Sequence, residues 1–325
     1  MIDEILPNLY RIEIPLPHNP LRALNSYLIK TPDRCLIIDT GLNREECQTA
    51  MMAALESLGV DLNRTDFFIT HMHSDHLGMV GTLATATSTV YFNEKEADLV
   101  KAEKRLPRYA RLDAIFLANG FPAEELKEAV ANNPGRRFHL QRLMNFSIKR
   151  EGDYIDIGDY HFRCIQTPGH SPGHICLYEE SKKILVSGDL ILFNITPNIS
   201  FWLEMEDPLT LYLSSLDKVY SLDVDIVLPG HRSIMPDHRK RIRELRAHHE
   251  ARMDEALSAL EDGEKTAYEV APRISWDIRS DSWAHFPVGQ KWFAVGETMA
   301  HLHYLEKNGK IKENRHNGHI LYSLP

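Results

Sequence analysis

The chain has 325 residues, 43% hydrophobic and 26% charged, with a formal net charge of −9, which is ordinary globular composition with room for one large core and a smaller attached unit. No apolar stretch nears the roughly 18 residues of a membrane span, and the start lacks the basic, then apolar, pattern of a secretory signal, so membrane embedding is excluded and a cytoplasmic chain is predicted. Residues 1–237 carry 23 Lys and Arg against 33 Asp and Glu, and residues 238–325 carry 14 against 13, so neither part has the basic footprint of a nucleic-acid reader.

Short strands are predicted over 10–14, 25–30 and 35–39, separated by Pro, Asn and Asp. A helix follows over 43–58, with Asn43 as N-cap and Gly59 as the stop. The run 67–70 reads as a buried strand that delivers a histidine cluster at its C-terminal end, where open α/β sheets place ligands. After a strand over 89–92, residues 94–131 form a helical insert interrupted at Pro107 and Pro122 and closed by a turn at 132–135. Strands resume over 154–157, 160–167, 174–178, 183–187 and 225–228, with helices over 208–222 and 238–260. The tail reads as a helix near 266–273, an aromatic stretch, a helix over 295–307 and a hairpin over 312–322 turning at Asn317-Gly318. Cys35, Cys47, Cys164 and Cys176 form no CxxC pair and read as reduced, buried thiols.

The chemistry is concentrated in His71-Met72-His73-Ser74-Asp75-His76. A loop leaving a strand can splay alternate side chains toward one point, presenting imidazoles and a carboxylate to a borderline metal such as zinc. Three later groups each follow a strand beside glycine: His170 in Thr167-Pro168-Gly169-His170, Asp189 after Gly188, and His231 after Gly230. Singly each is a turn residue; in this order they form a set. Asp39 is assigned to the surroundings of the site, where a carboxylate can accept the free N–H of a ligand imidazole, against the alternative of a strand-end turn. His174 either supports the site or is a satisfied strand-edge histidine. The apolar loop 190–203, with Phe193, Phe201 and Trp202, either lines an acyl pocket or packs against the insert or a partner subunit. Arg105, Arg108 and Arg111 either meet an anionic substrate group or form a solvated helix face, the latter preferred. Neighbours one or two apart on a helix point in different directions, so the tail pairs His248-His249 and His301/His303 are not read as a further metal site.

This ordered set resembles the metallo-β-lactamase superfamily over roughly residues 7–235, together with Asn25-Ser26-Tyr27-Leu28 and Ile37-Ile38-Asp39-Thr40-Gly41. The resemblance implies an α/β fold, a four-layer αββα sandwich with the site at one edge of its two sheets. It further implies that His71, His73 and His170 bind one metal, that Asp75, His76 and His231 bind a second, and that Asp189 bridges them. Two divalent ions are expected, zinc first, with iron and manganese compatible with the same ligands. Asp189 stands where the best-known β-lactamases carry cysteine, and His73 where flavodiiron oxidoreductases carry glutamate. Asp189 is similar to the bridging aspartate of glyoxalase II, lactonases and nucleases. Residues 238–325 resemble the winged-helix-like units appended to some of these hydrolases.

The expectation is therefore a hydrolase in which a metal-bridging hydroxide attacks an ester-like carbonyl of a small molecule, thioester first and lactone next. Asp75 is the catalytic candidate, orienting the water and carrying a proton to the leaving group. A phosphodiesterase or ribonuclease using the same centre is the second reading. A regulatory or nucleic-acid-binding protein with a structural metal is the third. A homo-oligomer is compatible with the apolar loop.

Overall fold

Alternating apolar residues build two sheets in the computed structural model, which describes residues 1–325 apart from 139, 141–143 and 279 and the side chains of 102–105. The first sheet has seven strands in chain order: β1 (Ile2–Leu6), β2 (Leu9–Pro15), β3 (Ala23–Lys30), β4 (Cys35–Ile38), β5 (Thr65–Phe68), β6 (Val90–Asn93) and β7 (Ser147–Lys149). Pairing is antiparallel through β4 and parallel from β4 to β7. The second sheet runs β12-β11-β10-β9-β8, from β8 (Tyr154–Ile157), β9 (Tyr160–Gln166), β10 (Ile175–Glu179) and β11 (Ile184–Gly188) to β12 (Ile226–Pro229).

The period of two decides which side chains face which layer. Tyr27, Ile29, Leu36, Ile38 and Phe68 point inward against Phe162, Cys164, Leu177 and Val186 of the second sheet. Their neighbours Leu28, Ile37 and Phe67 point outward and pack under α1 (Glu45–Ser57), α2 (Ser74–Leu77) and α3 (Val80–Leu83). On the other side Ile165, Cys176 and Leu185 pack under α8 (Pro208–Tyr220) and the first half of α9 (His238–Ala259). These are the four layers of an αββα sandwich. The four cysteines are buried in it as free thiols.

The insert comprises α4 (Glu94–Leu99), α5 (Ala102–Ala118), α6 (Ala123–Ala131) and α7 (Pro134–Arg137). The tail adds α10 (Ala267–Val270), α11 (Val288–Lys307) and the hairpin β13 (Lys312–His316) and β14 (His319–Ser323). Insert and tail share one core, in which Leu112, Phe116 and Phe121 meet Ala256, Val295, Met299 and Tyr322. The hairpin turns at Asn317 and Gly318, both with positive φ, 48° and 83°, the geometry of a type I′ turn.

Several boundaries differ from the sequence reading. Pro107 lies inside α5 rather than interrupting it: its fixed φ is helical, and the packing of Leu112 and Phe116 offsets the lost hydrogen bond. Asn43 is not the cap of α1; Arg44 holds that position, and Asn43 Oδ1 accepts from Gln48 Nε2 at 2.6 Å. The predicted turn at 132–135 runs into α7, with Pro134 in its first turn. Helix α11 begins seven residues before the predicted 295. It is buried without interruption from Ala294 to Leu302, so no polar stripe betrays its length. Strands β1 and β7 lay outside the predicted set. Among the described residues no helix is long and apolar enough to cross a membrane.

Candidate metal centre

The two sheets bring the ends of β5, β9, β11 and β12 together at one edge, and the loops leaving them carry the predicted groups. His71, His76 and His231 are fully buried, and His170 and Asp189 nearly so. His73 and Asp75 are half-buried and form the open side. Donor atoms of His71, His73 and His170 lie within 4.8 Å of one another, as do those of Asp75, His76 and His231, and those of His71, His76 and Asp189. All seven predicted groups thus meet in one place.

Hydrogen bonds behind the imidazoles fix which nitrogen faces this centre. His170 Nδ1 donates to the Asn198 carbonyl at 2.9 Å and His231 Nδ1 to the Ala23 carbonyl at 2.7 Å. A carbonyl only accepts, so in the neutral ring Nδ1 carries the proton and Nε2 is the nitrogen with the lone pair that faces the centre. His76 Nδ1 donates to Asp39 Oδ2 at 2.7 Å, with the same consequence. Thr70 Oγ1 gives its proton to Asp39 Oδ2 at 2.8 Å and therefore accepts from His71 Nδ1 at 3.1 Å. The Nε2 of His71 then faces His73 Nδ1 at 2.9 Å, and His170 Nε2 faces it at 3.0 Å.

With the rings neutral, as metal ligation requires, acceptor faces acceptor elsewhere in the centre. His76 Nε2 lies 3.5 Å from Asp189 Oδ1, His231 Nε2 lies 3.4 Å from Asp75 Oδ2 and 3.5 Å from Asp189 Oδ2, and His170 Nε2 lies 3.6 Å from Asp189 Oδ2. His76 Nε2, His231 Nε2 and Asp189 Oδ1 are buried with no hydrogen-bond partner. Unpaired buried acceptors are costly. The separations match the edge of a tetrahedron with ligands about 2.05 Å from a cation, roughly 3.3 Å. The residues present therefore fit divalent metal.

The two halves differ in basicity. Burial and the neighbouring His76 hold His71 well below the usual imidazole range, and burial with His170 brings His73 to about 3. His76 is raised well above it, because Asp39 and Asp189 outweigh a large opposing burial effect; His231 is raised likewise, Asp189 and Asp75 outweighing burial. Asp189 is held well below the carboxylate range by His231 and His76 against burial. The position of Asp75, His76 and His231 therefore competes with protons more strongly than the three-histidine position, and metal binding there is the more pH-dependent of the two. Calorimetric titrations of metal-free protein in buffers of different ionisation enthalpy are expected to read more proton release from the first position than from the second; equal release from both would contradict this ordering.

The supporting residues are equally specific. Asp39 accepts from Thr70 N, Thr70 Oγ1 and His76 Nδ1 and sits at φ 58°, a left-handed backbone that costs about 1 kcal/mol or more in a residue with a side chain. His174 uses both ring nitrogens away from the converging donor atoms: its Nε2 accepts from Asp189 N at 3.1 Å, and its Nδ1 donates to Thr167 Oγ1 at 2.8 Å. It is both satisfied and supporting. The Asn25-Ser26-Tyr27 segment staples the His231 loop, with Asn25 Nδ2 and Tyr27 Oη donating to the Pro229 carbonyl at 3.0 and 2.8 Å. Gly230 is required sterically, since a Cβ there would lie 2.5 Å from Asp189 Oδ1 and 2.8 Å from His76 Cε1.

Of the three pocket residues, only Trp202 borders the centre. It stacks on His73, ring centroids 5.9 Å apart, and Arg108 covers it at 4.9 Å while pairing with Glu204 at 2.8 Å. Phe201 turns instead into the core shared by insert and tail, because Phe201 N bonds the Gly296 carbonyl at 2.9 Å. Phe193 is 38% exposed. Arg108 is thus engaged, Arg111 is exposed, and the side chain of Arg105 lies outside the described residues. A small cavity of about 30 Å³ opens beside the histidine run, between Met72, Ser74, Leu77 and the insert residues Leu99, Val100 and Tyr109.

Sequence reasoning missed Glu96, fully buried at the start of the insert, whose Oε1 accepts from Ser171 Oγ and from Gly173 N at 2.9 Å. Burial pushes it up to about 7 against those two donors. It holds the turn between His170 and His174, and a lone Glu in a helix carries no signal of that. Spacing along a single helix, which predicts no metal site in the tail, takes no account of a neighbouring helix. His248 and His249 of α9 bring donor atoms within 4.8 Å of Glu297 on α11. Arg252 Nη1 sits 2.8 Å from Glu297 Oε1, a fixed positive charge that opposes a cation there.

Comparison with known proteins agrees with this geometry. The profile of the metallo-beta-lactamase superfamily matches residues 20–231, and that of a metallo-beta-lactamase-like C-terminal domain matches residues 284–323. A solved metallo-beta-lactamase family protein from Thermus thermophilus superposes with a TM-score of 0.84 at 29% identity, covering 99% of this chain and 100% of that one. The chain is 26% identical over 295 residues to a probable metallo-hydrolase of Bacillus subtilis (strain 168), covering 88% of each. It is also 26% identical over 218 residues to the acyl-coenzyme A thioesterase MBLAC2 of Bos taurus, covering 64% of this chain and 72% of that one. With the αββα layers, the converging histidines and a profile spanning most of the sandwich in agreement, the chain belongs to the metallo-beta-lactamase superfamily and is a metallo-hydrolase of that fold.

Proposed function

We propose that the protein hydrolyses a small-molecule thioester, with lactones as the next class, at a centre of two divalent metals. The observation that carries this reading is Asp189, whose two carboxylate oxygens face His76 on one side and His170 and His231 on the other at 3.5 to 3.6 Å. In it, His71, His73 and His170 hold one ion, Asp75, His76 and His231 hold the other, and Asp189 serves both. Such ions, zinc first and iron or manganese by the same ligands, supply Lewis acidity and a hydroxide nucleophile at neutral pH. Asp75 is the carboxylate on the open side, where it orients water and passes a proton to the leaving group. Trp202 excludes water over His73. The acyl-coenzyme A thioesterase among the relatives supports the order of substrates. The tail, with its helices followed by a hairpin, has the element order of a winged helix and acts here as packing for the insert.

The test is a panel of acyl-thioester, lactone, β-lactam and phosphodiester substrates with metal-reconstituted protein and with the same protein stripped by chelator. Turnover of thioesters that disappears on stripping and returns with two equivalents of metal is the expected result. Phosphodiester turnover alone, or activity indifferent to chelation, overturns the reading.

A further inference from the structure

The wall of the metal centre between Asp189 and α8 has no regular structure, yet it supplies the carbonyl of Asn198 to His170 and the ring of Trp202 to His73. Its shape comes from the C-terminal helices. Arg241 of α9 donates to the Leu192 and Ile195 carbonyls at 2.7 and 2.8 Å. Asn198 Nδ2 donates to Glu297 Oε2 of α11 at 2.7 Å, and Glu297 Oε1 accepts from Arg252 of α9 at 2.8 Å. Gly296 lets the loop lie directly on α11, because a Cβ there would stand 2.2 Å from Ser200 Oγ. Glu297 is 5% exposed and Arg252 8%, so water does not substitute readily for either partner.

We infer that Glu297 and Asn198 are positioning residues for the metal centre: the Arg252–Glu297–Asn198 chain fixes the carbonyl that sets the tautomer and orientation of His170, so the tail tunes metal binding at the three-histidine position. This rests on the reading of His170 as a metal ligand. A carbonyl behind a ligand imidazole holds the ring and its proton, and loss of such support typically weakens metal binding by about 10–100-fold. Glu297→Gln keeps the shape but offers an amide NH₂ to one of two donors. Asn198→Ala keeps the carbonyl and removes its anchor. Because both cut the same chain, their effects are not additive.

The experiment titrates zinc into metal-free, full-length protein against a chromophoric chelator, and records the visible absorption of the cobalt-substituted forms. Expected for Glu297→Gln and for Asn198→Ala is a drop of about 10–100-fold in affinity at the three-histidine position, with the other position within about threefold of wild type. The double variant should be no weaker than the weaker single. Met299→Ala, on the same helix but facing the shared core, controls for destabilisation: it should lower Tm without moving either affinity. Wild-type affinities in both single variants, equal weakening of both positions, or a Met299→Ala loss matching theirs overturns the inference. If His170→Ala binds metal like wild type, the ligand reading itself falls, and the inference with it.

Discussion

Asp189→Ala is expected to abolish measurable hydrolysis, lowering kcat/KM by about 10³-fold or more, and to leave the protein with less than two equivalents of metal. Removing a group that only supports a ligand costs about 10–100-fold in affinity or activity. Asp189 faces three imidazole nitrogens through both its oxygens, so its loss acts on both positions at once. It also removes one of the two carboxylates that offset cation–cation repulsion in a low-dielectric site. Asp189→Asn separates the two effects, keeping the shape while removing the charge. Metal analysis after gel filtration and steady-state kinetics on the best substrate check the outcome. Full activity with two bound ions in the alanine variant would show that the centre does not depend on a shared carboxylate.

The second large effect is expected at Asp39, which touches no substrate in this reading. Asp39→Ala strands Thr70 N–H, Thr70 Oγ1–H and His76 Nδ1–H in a site where Asp39 is 2% and His76 0% exposed. Each unsatisfied buried group costs about 1–3 kcal/mol, so a loss of about 3 kcal/mol in metal-free stability is expected even if water recovers part. Metal affinity at the His76 position should fall by about 10–100-fold. The sign of a third readout follows from the electrostatics: Asp39 raises the basicity of His76, so without it fewer protons are released when metal binds. Urea unfolding of the metal-free protein and the calorimetric titration measure these together. An unchanged unfolding midpoint would reduce Asp39 to a strand-end turn residue.

The candidate set was legible because its groups sit at strand ends, three of them beside a glycine the chain cannot dispense with. Gly230 must lack a side chain for Asp189 and His76 to approach, and a Gly-His pair records that locally. The layer order came from the family resemblance and not from alternation, since β3, β4 and β5 are buried on both faces, with Tyr27 and Leu28 or Phe67 and Phe68 facing opposite cores. What stayed hidden depends on partners far along the chain. Glu96 reaches the His170 turn across 75 residues, and Glu297 reaches Asn198 across 99. Neither has a local pattern. For Phe201 hydrophobicity alone leaves the acyl pocket and packing against the insert both open; the structure takes the second, because the direction of a side chain in an irregular loop is set by backbone bonds to α11 that composition does not encode. The early start of α11 and the continuity of α5 through Pro107 have a related cause: tertiary packing overrides both amphipathic stripe and propensity.

Helix α9 runs unbroken for 22 residues, about 33 Å at the usual rise, with Ile242 and Leu245 in the sandwich and Ala256 and Ala259 in the core shared by insert and tail. A helix packed into both cores couples the two bodies through one continuous element. Access to the metal centre is then expected through small yielding parts, the wall around Trp202 or the short helices beside Met72, more than through one half of the molecule swinging away from the other.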